Sequence, residues 1–201
     1  MQQLRPEHTL APMRRLALLL TLAMAMPLAA QTEIGAHVAA ARASSTDTNG
    51  TTLAFDRGRG LGASVTLGSE VTLELAATSL RYDAALRTDG ASAGAGTLRL
   101  IPITATAQWH FGNLYLGGGA AYVVAHDLSG GELESLGIGR ISIESQRCWL
   151  ANAGVVFRLR ELSVVVDGKY IDYRPRSSAA GEQVRLDLKP VVLSVGLRFK
   201  L

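Results

Sequence analysis

Glu74, Arg158, Asp167, Lys169 and Arg198 all fall on the polar side of segments whose other side is built from Leu, Val, Ile and Ala. Side chains of a strand point alternately to its two faces, so these charges share one face with Gln108 and His110. The chemistry such a set supports is mutual neutralisation, because opposite charges removed from bulk water must pair. Catalysis is poorly supplied by comparison. Cys148 is the single cysteine, and nothing in the sequence places a base beside it. His126 and Asp127 form a loop pair of the kind that is usually solvated, and His37 has no clear acidic neighbour. Scattered histidines without a fixed spacing make no metal site. Gly117 to Gly119 sits inside an alternating segment with no helix to follow, so it is no phosphate loop. The chain is therefore expected to be no enzyme and to need no metal or cofactor.

The elements that position these residues alternate with period two from Ile34 to the end. In the last ten residues, Leu193, Val195, Leu197, Phe199 and Leu201 oppose Ser194, Gly196, Arg198 and Lys200. Strands are expected at about 33–43, 59–67, 71–78, 97–111, 114–124, 147–159 and 162–173, with an eighth at the C-terminus. Gly68-Ser69-Glu70, Gly112-Asn113 and Arg160-Glu161 make short turns. Segments at about 44–51, 81–96, 126–145 and 174–183, rich in turn formers, read as long loops. The expected fold is all-β, an eight-stranded antiparallel up-and-down transmembrane β-barrel, apolar outside and polar within. A soluble barrel would reverse those faces. Aromatics on the apolar face fall into two tiers, Trp109, Phe111, Phe157 and Phe199 beside the short turns and Tyr122, Trp149 and Tyr170 near the long loops. Trp149 and Phe157 lie about 26 Å apart along a strand, which a tilt of about 40° projects to roughly 20 Å, close to an outer-membrane apolar band.

Residues 1–30 read as a secretory signal peptide with an N-terminal extension. Arg14 and Arg15 precede an apolar run from Leu16 to Met26, and small residues close it at Ala29 and Ala30. The run is too short to span a bilayer as a helix, which needs about 20 apolar residues. Residues 31–201 then form one barrel domain. The net charge of +3 is inflated by Arg5, Arg14 and Arg15, so it argues for no nucleic-acid partner.

At 102–111 the run Pro-Ile-Thr-Ala-Thr-Ala-Gln-Trp-His-Phe, followed at 114–122 by Leu-Tyr-Leu-Gly-Gly-Gly-Ala-Ala-Tyr, resembles the OmpW family of small outer-membrane proteins. Asp167-Gly-Lys-Tyr170 and Asp187-Leu-Lys-Pro190 are similar to its last two strands. The chain departs from the usual pattern in ending at Leu201 instead of Phe. The resemblance implies a narrow channel in the cell outer membrane that passes small hydrophobic molecules. Strand parity agrees with an apolar upper lumen of Leu98, Leu100, Pro102, Val123, Leu150, Leu188, Pro190 and Val192. Below it lies a polar floor of Glu74, Gln108, His110, Arg158, Asp167, Lys169 and Arg198. Partners implied are outer-membrane lipid and lipopolysaccharide, the barrel-assembly machinery and small hydrophobic solutes. If Pro102 and Pro190 face each other across a weak seam, that seam would be a lateral exit. The alternative is a closed structural or adhesin-like surface-interaction barrel, since eight strands enclose only enough room for their own side chains.

Overall fold

The computed structural model describes residues 31–48, 51–88, 91–128, 141–179 and 182–201. The expected signal peptide at residues 1–30 lies outside them. Among the described residues thirteen strands run in chain order: β1 (Thr32–Arg42), β2 (Thr46–Thr48), β3 (Thr51–Phe55), β4 (Gly58–Gly68), β5 (Val71–Thr88), β6 (Ala91–Phe111), β7 (Leu114–Ala125), β8 (Ser142–Ile143), β9 (Gln146–Leu159), β10 (Leu162–Ile171), β11 (Arg176–Ala179), β12 (Glu182–Arg185) and β13 (Val191–Lys200). They form two sheets, one of ten strands and one of three. The expectation of a simple eight-stranded up-and-down barrel is thereby corrected. The fold is all-β and its pairings are antiparallel, but the strand count and the second sheet were not foreseen.

The extra strands arise where loops were expected. Segment 44–51 contributes β2, and β3, which follows it at Thr51–Phe55, pairs with β2 and with the far end of β5. Segment 81–96 is not a loop but the extension of β5 and β6 against each other, with a register shift at Ala84/Ala85. Segment 174–183 supplies β11 and most of the link to β12, which join β8 in the second sheet. Gly, Ala, Ser and Asp lower local strand propensity, but a partner strand that satisfies the ladder overrides that preference. The period-two signal was present: Leu80, Tyr82 and Ala84 are buried while Arg81 and Asp83 are exposed.

Within the larger sheet, eight strands are each paired on both sides. The order runs β5, β4, β1, β13, β10, β9, β7, β6, and β6 pairs with β5 in addition. Gly68, Gly112 and Arg160, each at the start of one of the three short turns, have φ of 112°, 65° and 54°. Positive φ is native to the glycines and strained for Arg160. Leu61, Leu75, Ile103, Leu116, Leu193 and Leu197 are among many large apolar side chains left exposed on one face. All seven aromatics of the two tiers are exposed there too, from Tyr170 at 43% to Trp149 at 76%. An apolar exposed face of this extent marks a surface made for an apolar medium.

The buried face is held together by side chains that cross over glycines. Tyr115 on β7 stands opposite Gly154 on β9, which stands opposite Asp167 on β10. The Tyr115 hydroxyl crosses the glycine and donates to Asp167 Oδ1 at 2.6 Å. His37 on β1 likewise crosses Gly62 on β4 to reach Thr78 Oγ1 on β5 at 2.9 Å. A Cβ at position 154 would lie 2.3 Å from Tyr115 Oη, and one at 62 would lie 2.2 Å from His37 Nε2. We expect Gly154→Ala and Gly62→Ala each to destabilise the refolded protein by about 1–3 kcal/mol through overpacking. Gly168→Ala, whose Cβ would have its nearest neighbour at 3.7 Å, serves as the neutral comparison in urea unfolding from lipid vesicles.

Candidate functional site

Five of the seven residues expected in the polar floor are buried in the interior of the larger sheet: Glu74, Gln108, Asp167, Lys169 and Arg198. Alternation along β5, β6, β10 and β13 puts them there, because each occupies the parity opposite the exposed Leu, Val and Ile residues. Lys169 Nζ donates to Glu74 Oε1 at 2.7 Å and pairs with Asp167 Oδ2 at 3.0 Å. Arg198 Nη2 donates to Glu74 Oε2, and its Nη1 lies 4.0 Å from Glu33 Oε2. Asp167 Oδ1 accepts from Tyr115 and, at 3.3 Å, from Asn152 Nδ2. Two carboxylates and two cations thus cancel within the buried cluster. The space left among His37, Ser64, Glu74, Asp167, Lys169 and Arg198 is about 20 Å³, room for roughly one water.

Arg158 and His110 form a separate, more open tier at the short-turn end. Arg158 is exposed and His110 half-buried, so the expected floor is corrected at these positions: distance along the strand carries them past the packed interior. Arg158 donates through Nη1 to Gly112 O at 3.3 Å and lies 3.4 Å through Nη2 from His110 Nδ1. Thr72 Oγ1 sits 3.0 Å from His110 Nε2 and donates to Gln108 Oε1 at 3.3 Å, which links the tier to the interior. An open cavity of about 380 Å³ borders Arg158, His110, Glu70, Glu33 and Gln31.

All eight residues expected in the apolar upper lumen are buried. Leu98, Leu100, Val123, Leu150, Leu188 and Val192 belong to one cluster. Leu188 reaches it from the segment before β13 and not from the strand itself, and Pro190 is buried in that same segment. Tyr82, Tyr173, Phe55 and Ile171 belong to the same cluster and were missed, because Phe55, Tyr82 and Tyr173 lie in or beside segments that read as loops. The Tyr173 hydroxyl donates to Glu144 O at 2.7 Å, and burial pushes its phenol above the ordinary range. Beside it, the hydrogen bond from Arg174 Nε to Asp172 Oδ1 at 2.8 Å holds the Arg174 guanidinium above its usual value.

Pro102 and Pro190 do not face each other. Pro102 lies in β6 and Pro190 immediately precedes β13, strands separated by four pairings in either direction around the ring. Pro102 instead opens its own ladder. The β5–β6 register is continuous from Ala77↔Ile103 to Leu80↔Leu100, yet the two positions between, Thr78 and Ser79 opposite Pro102 and Ile101, are unpaired. Proline has no N–H to donate there.

The larger sheet thus carries paired charges on its buried face and an apolar face exposed on the other side. The OmpW family model matches residues 20–201. The chain belongs to the OmpW family. The fold is similar to that of the outer membrane protein OprG from Pseudomonas aeruginosa, with a TM-score of 0.75 at 18% identity, covering 86% of this chain and 96% of that one. Neisserial surface protein A aligns at a TM-score of 0.60 and 17% identity over 85% and 97% of the two chains. The outer membrane protein AlkL, solved in lipid bilayers, aligns at 0.60 and 12% over 86% and 90%. No curated protein matches the chain significantly. OmpW membership places the protein in the Gram-negative outer membrane. Among the described residues no His, Cys, Asp and Glu grouping could hold a metal ion, and no helix is long and apolar enough to cross a membrane.

Removing one member of the buried charge cluster leaves its partners uncompensated. Glu74→Gln is expected to cost about 3–5 kcal/mol, as for other broken buried ion pairs. The double variant Glu74→Gln with Lys169→Met should cost less than the sum of the two single variants by about 1 kcal/mol or more. Urea unfolding of all three in vesicles measures this, and additive losses would show that the two groups do not act as a pair.

Proposed function

We propose that this OmpW-family protein passes small hydrophobic molecules into the outer membrane through its apolar interior, and that they leave sideways between β5 and β6. The observation that carries the reading is the stacking of an apolar cluster above a self-neutralised charge cluster with room for about one water. An apolar solute gains nothing by continuing along the axis, because displacing those charges from one another is costly. The two unpaired positions at Pro102 supply a lateral route of weakened hydrogen bonding. Tyr82 Oη, buried in the apolar cluster, has no hydrogen-bond partner among the described residues. It offers a bond to any solute with one polar end.

In this reading residues 1–30 direct export, the amphipathic β13 is the segment recognised by the barrel-assembly machinery, and the exposed aromatic tiers meet lipid at its two interfaces. The second reading is a closed structural or surface-interaction protein. It is favoured by the complete burial of Leu80, Tyr82, Leu98, Leu128, Tyr173 and Leu188, side chains that already fill the upper interior.

A reversible staple separates the two. With Cys148→Ser as background, Ser79→Cys and Ile101→Cys sit opposite each other on the exposed face at the gap. Uptake of a fluorescent apolar solute into protein-bearing liposomes is expected to fall about tenfold on oxidation and to recover on reduction, a barrier change of about 1.4 kcal/mol. Unchanged uptake in the oxidised variant would refute the lateral exit. Uptake by the unmodified protein no faster than by empty liposomes would favour the closed reading.

A further inference from the structure

Three arginines stand side by side across three strands. Arg59 on β4 is the register partner of Arg81 on β5, and Arg81 is the partner of Arg99 on β6. All three are exposed. The backbone N–H of His126, just past the end of β7, donates to Arg99 O at 2.9 Å. Like charges directly opposite one another on neighbouring strands are destabilising. A row of this kind calls for a counter-charge.

Position along the strands says where the counter-charge would sit. Directly below the arginines on the same face lie Leu61 and Ala63, Ser79 and Ala77, and Ile101 and Ile103. Arg99 precedes Trp109, in the tier beside the short turns, by ten residues of β6, about 33 Å along the strand and about 25 Å after a tilt near 40°. That is the height of the apolar band itself, so the arginines lie at the headgroup level opposite the short turns. Their separation follows the strand spacing, which spreads the three guanidinium groups over about 10 Å.

The local chemistry selects phosphate. Arg81 Nη2 donates to Thr97 Oγ1 at 3.4 Å and Arg99 Nε to Ser79 Oγ at 3.1 Å, hydroxyl contacts that orient the side chains without neutralising them. An open concavity of about 580 Å³ beside the row is lined by Arg57, Arg59, Arg81, Asp56 and Asp83. With Arg99 included, cations outnumber acids on this face. Guanidinium groups bind phosphate through paired N–H donors and more specifically than an ammonium does. We infer that Arg59, Arg81 and Arg99 form a binding site for the phosphate groups of an outer-leaflet lipid, whose acyl chains lie along the apolar face of β4, β5 and β6 beneath. The site is independent of any passage through the interior.

The test uses the full-length protein purified from outer membranes, with vesicles of phosphatidylcholine containing bisphosphorylated lipid A or the same lipid after phosphatase treatment. The unmodified protein should retain the phosphorylated lipid at least about tenfold more tightly, and R59Q/R81Q/R99Q should lose that preference. R176Q/R185Q, which neutralises two exposed arginines paired across β11 and β12, should keep it. Should the triple variant fail to show the heat-modifiable gel mobility of a folded β-protein, R81Q alone carries the test with an expected loss of about threefold. The preference should also shrink at high salt, as charge screening demands. The site is overturned if the preference survives in R59Q/R81Q/R99Q, or in R81Q where that variant stands in. Equal loss in R176Q/R185Q, or equal binding of the phosphatase-treated lipid, also overturns it. Full displacement by millimolar inorganic phosphate would show a free-anion site and overturn the lipid assignment.

Discussion

The architecture depends on the internal neutrality of Glu74, Asp167, Lys169 and Arg198. Along the part of each strand that meets an apolar medium, charge is forced to the other side, and the interior that receives it has almost no water to solvate it. Only close pairing makes such burial tolerable. The cluster draws one or more groups from β5, β10 and β13, strands far apart in sequence. Its geometry therefore restrains strand register, since a slip of one residue would carry a charge to the exposed face.

Glycine supplies the room in which those polar groups meet. Tyr115 reaches Asp167 only because Gly154 lies between them, and His37 reaches Thr78 only across Gly62. Each relay spans three strands with one hydrogen bond, so the glycines act as seats for side chains and not as points of flexibility. Asn152 adds a third arm to Asp167 from β9. The result is a polar layer that is satisfied largely by its own members, below an apolar layer packed from Leu, Val and aromatic side chains. Chemistry is thus sorted by height inside the molecule as sharply as it is sorted by face on each strand.

Much of this sorting was readable from the chain. Period-two alternation located β1, β4, β7, β9 and β10 to within two residues, and the parity it assigned to Glu74, Asp167, Lys169, Arg198 and the apolar set is that of the buried positions. The last strand starts only at Val191, well after the loop expected to end near residue 183. Three kinds of feature escaped. β2, β8, β11 and the far ends of β5 and β6 lie in segments read as loops for their turn formers, and β3 and β12 are short runs beside such segments; only a partner strand makes them strands. Arg158 shares the parity of the buried charges but lies too near the strand end to be enclosed. Pro102 and Pro190 looked alike in sequence, yet nothing local could say that they stand on opposite sides of the ring.

The sequence by itself determined which side of each strand is apolar, because alternation is a local property of a backbone whose side chains flip with every residue. It also determined the short turns and the family. The tertiary structure alone decided which charge meets which, that Arg59, Arg81 and Arg99 form a row, and that Tyr115 and His37 cross glycines. Those relations depend on register between strands distant in the chain, and register is set by the collective fit of ladders and packed side chains.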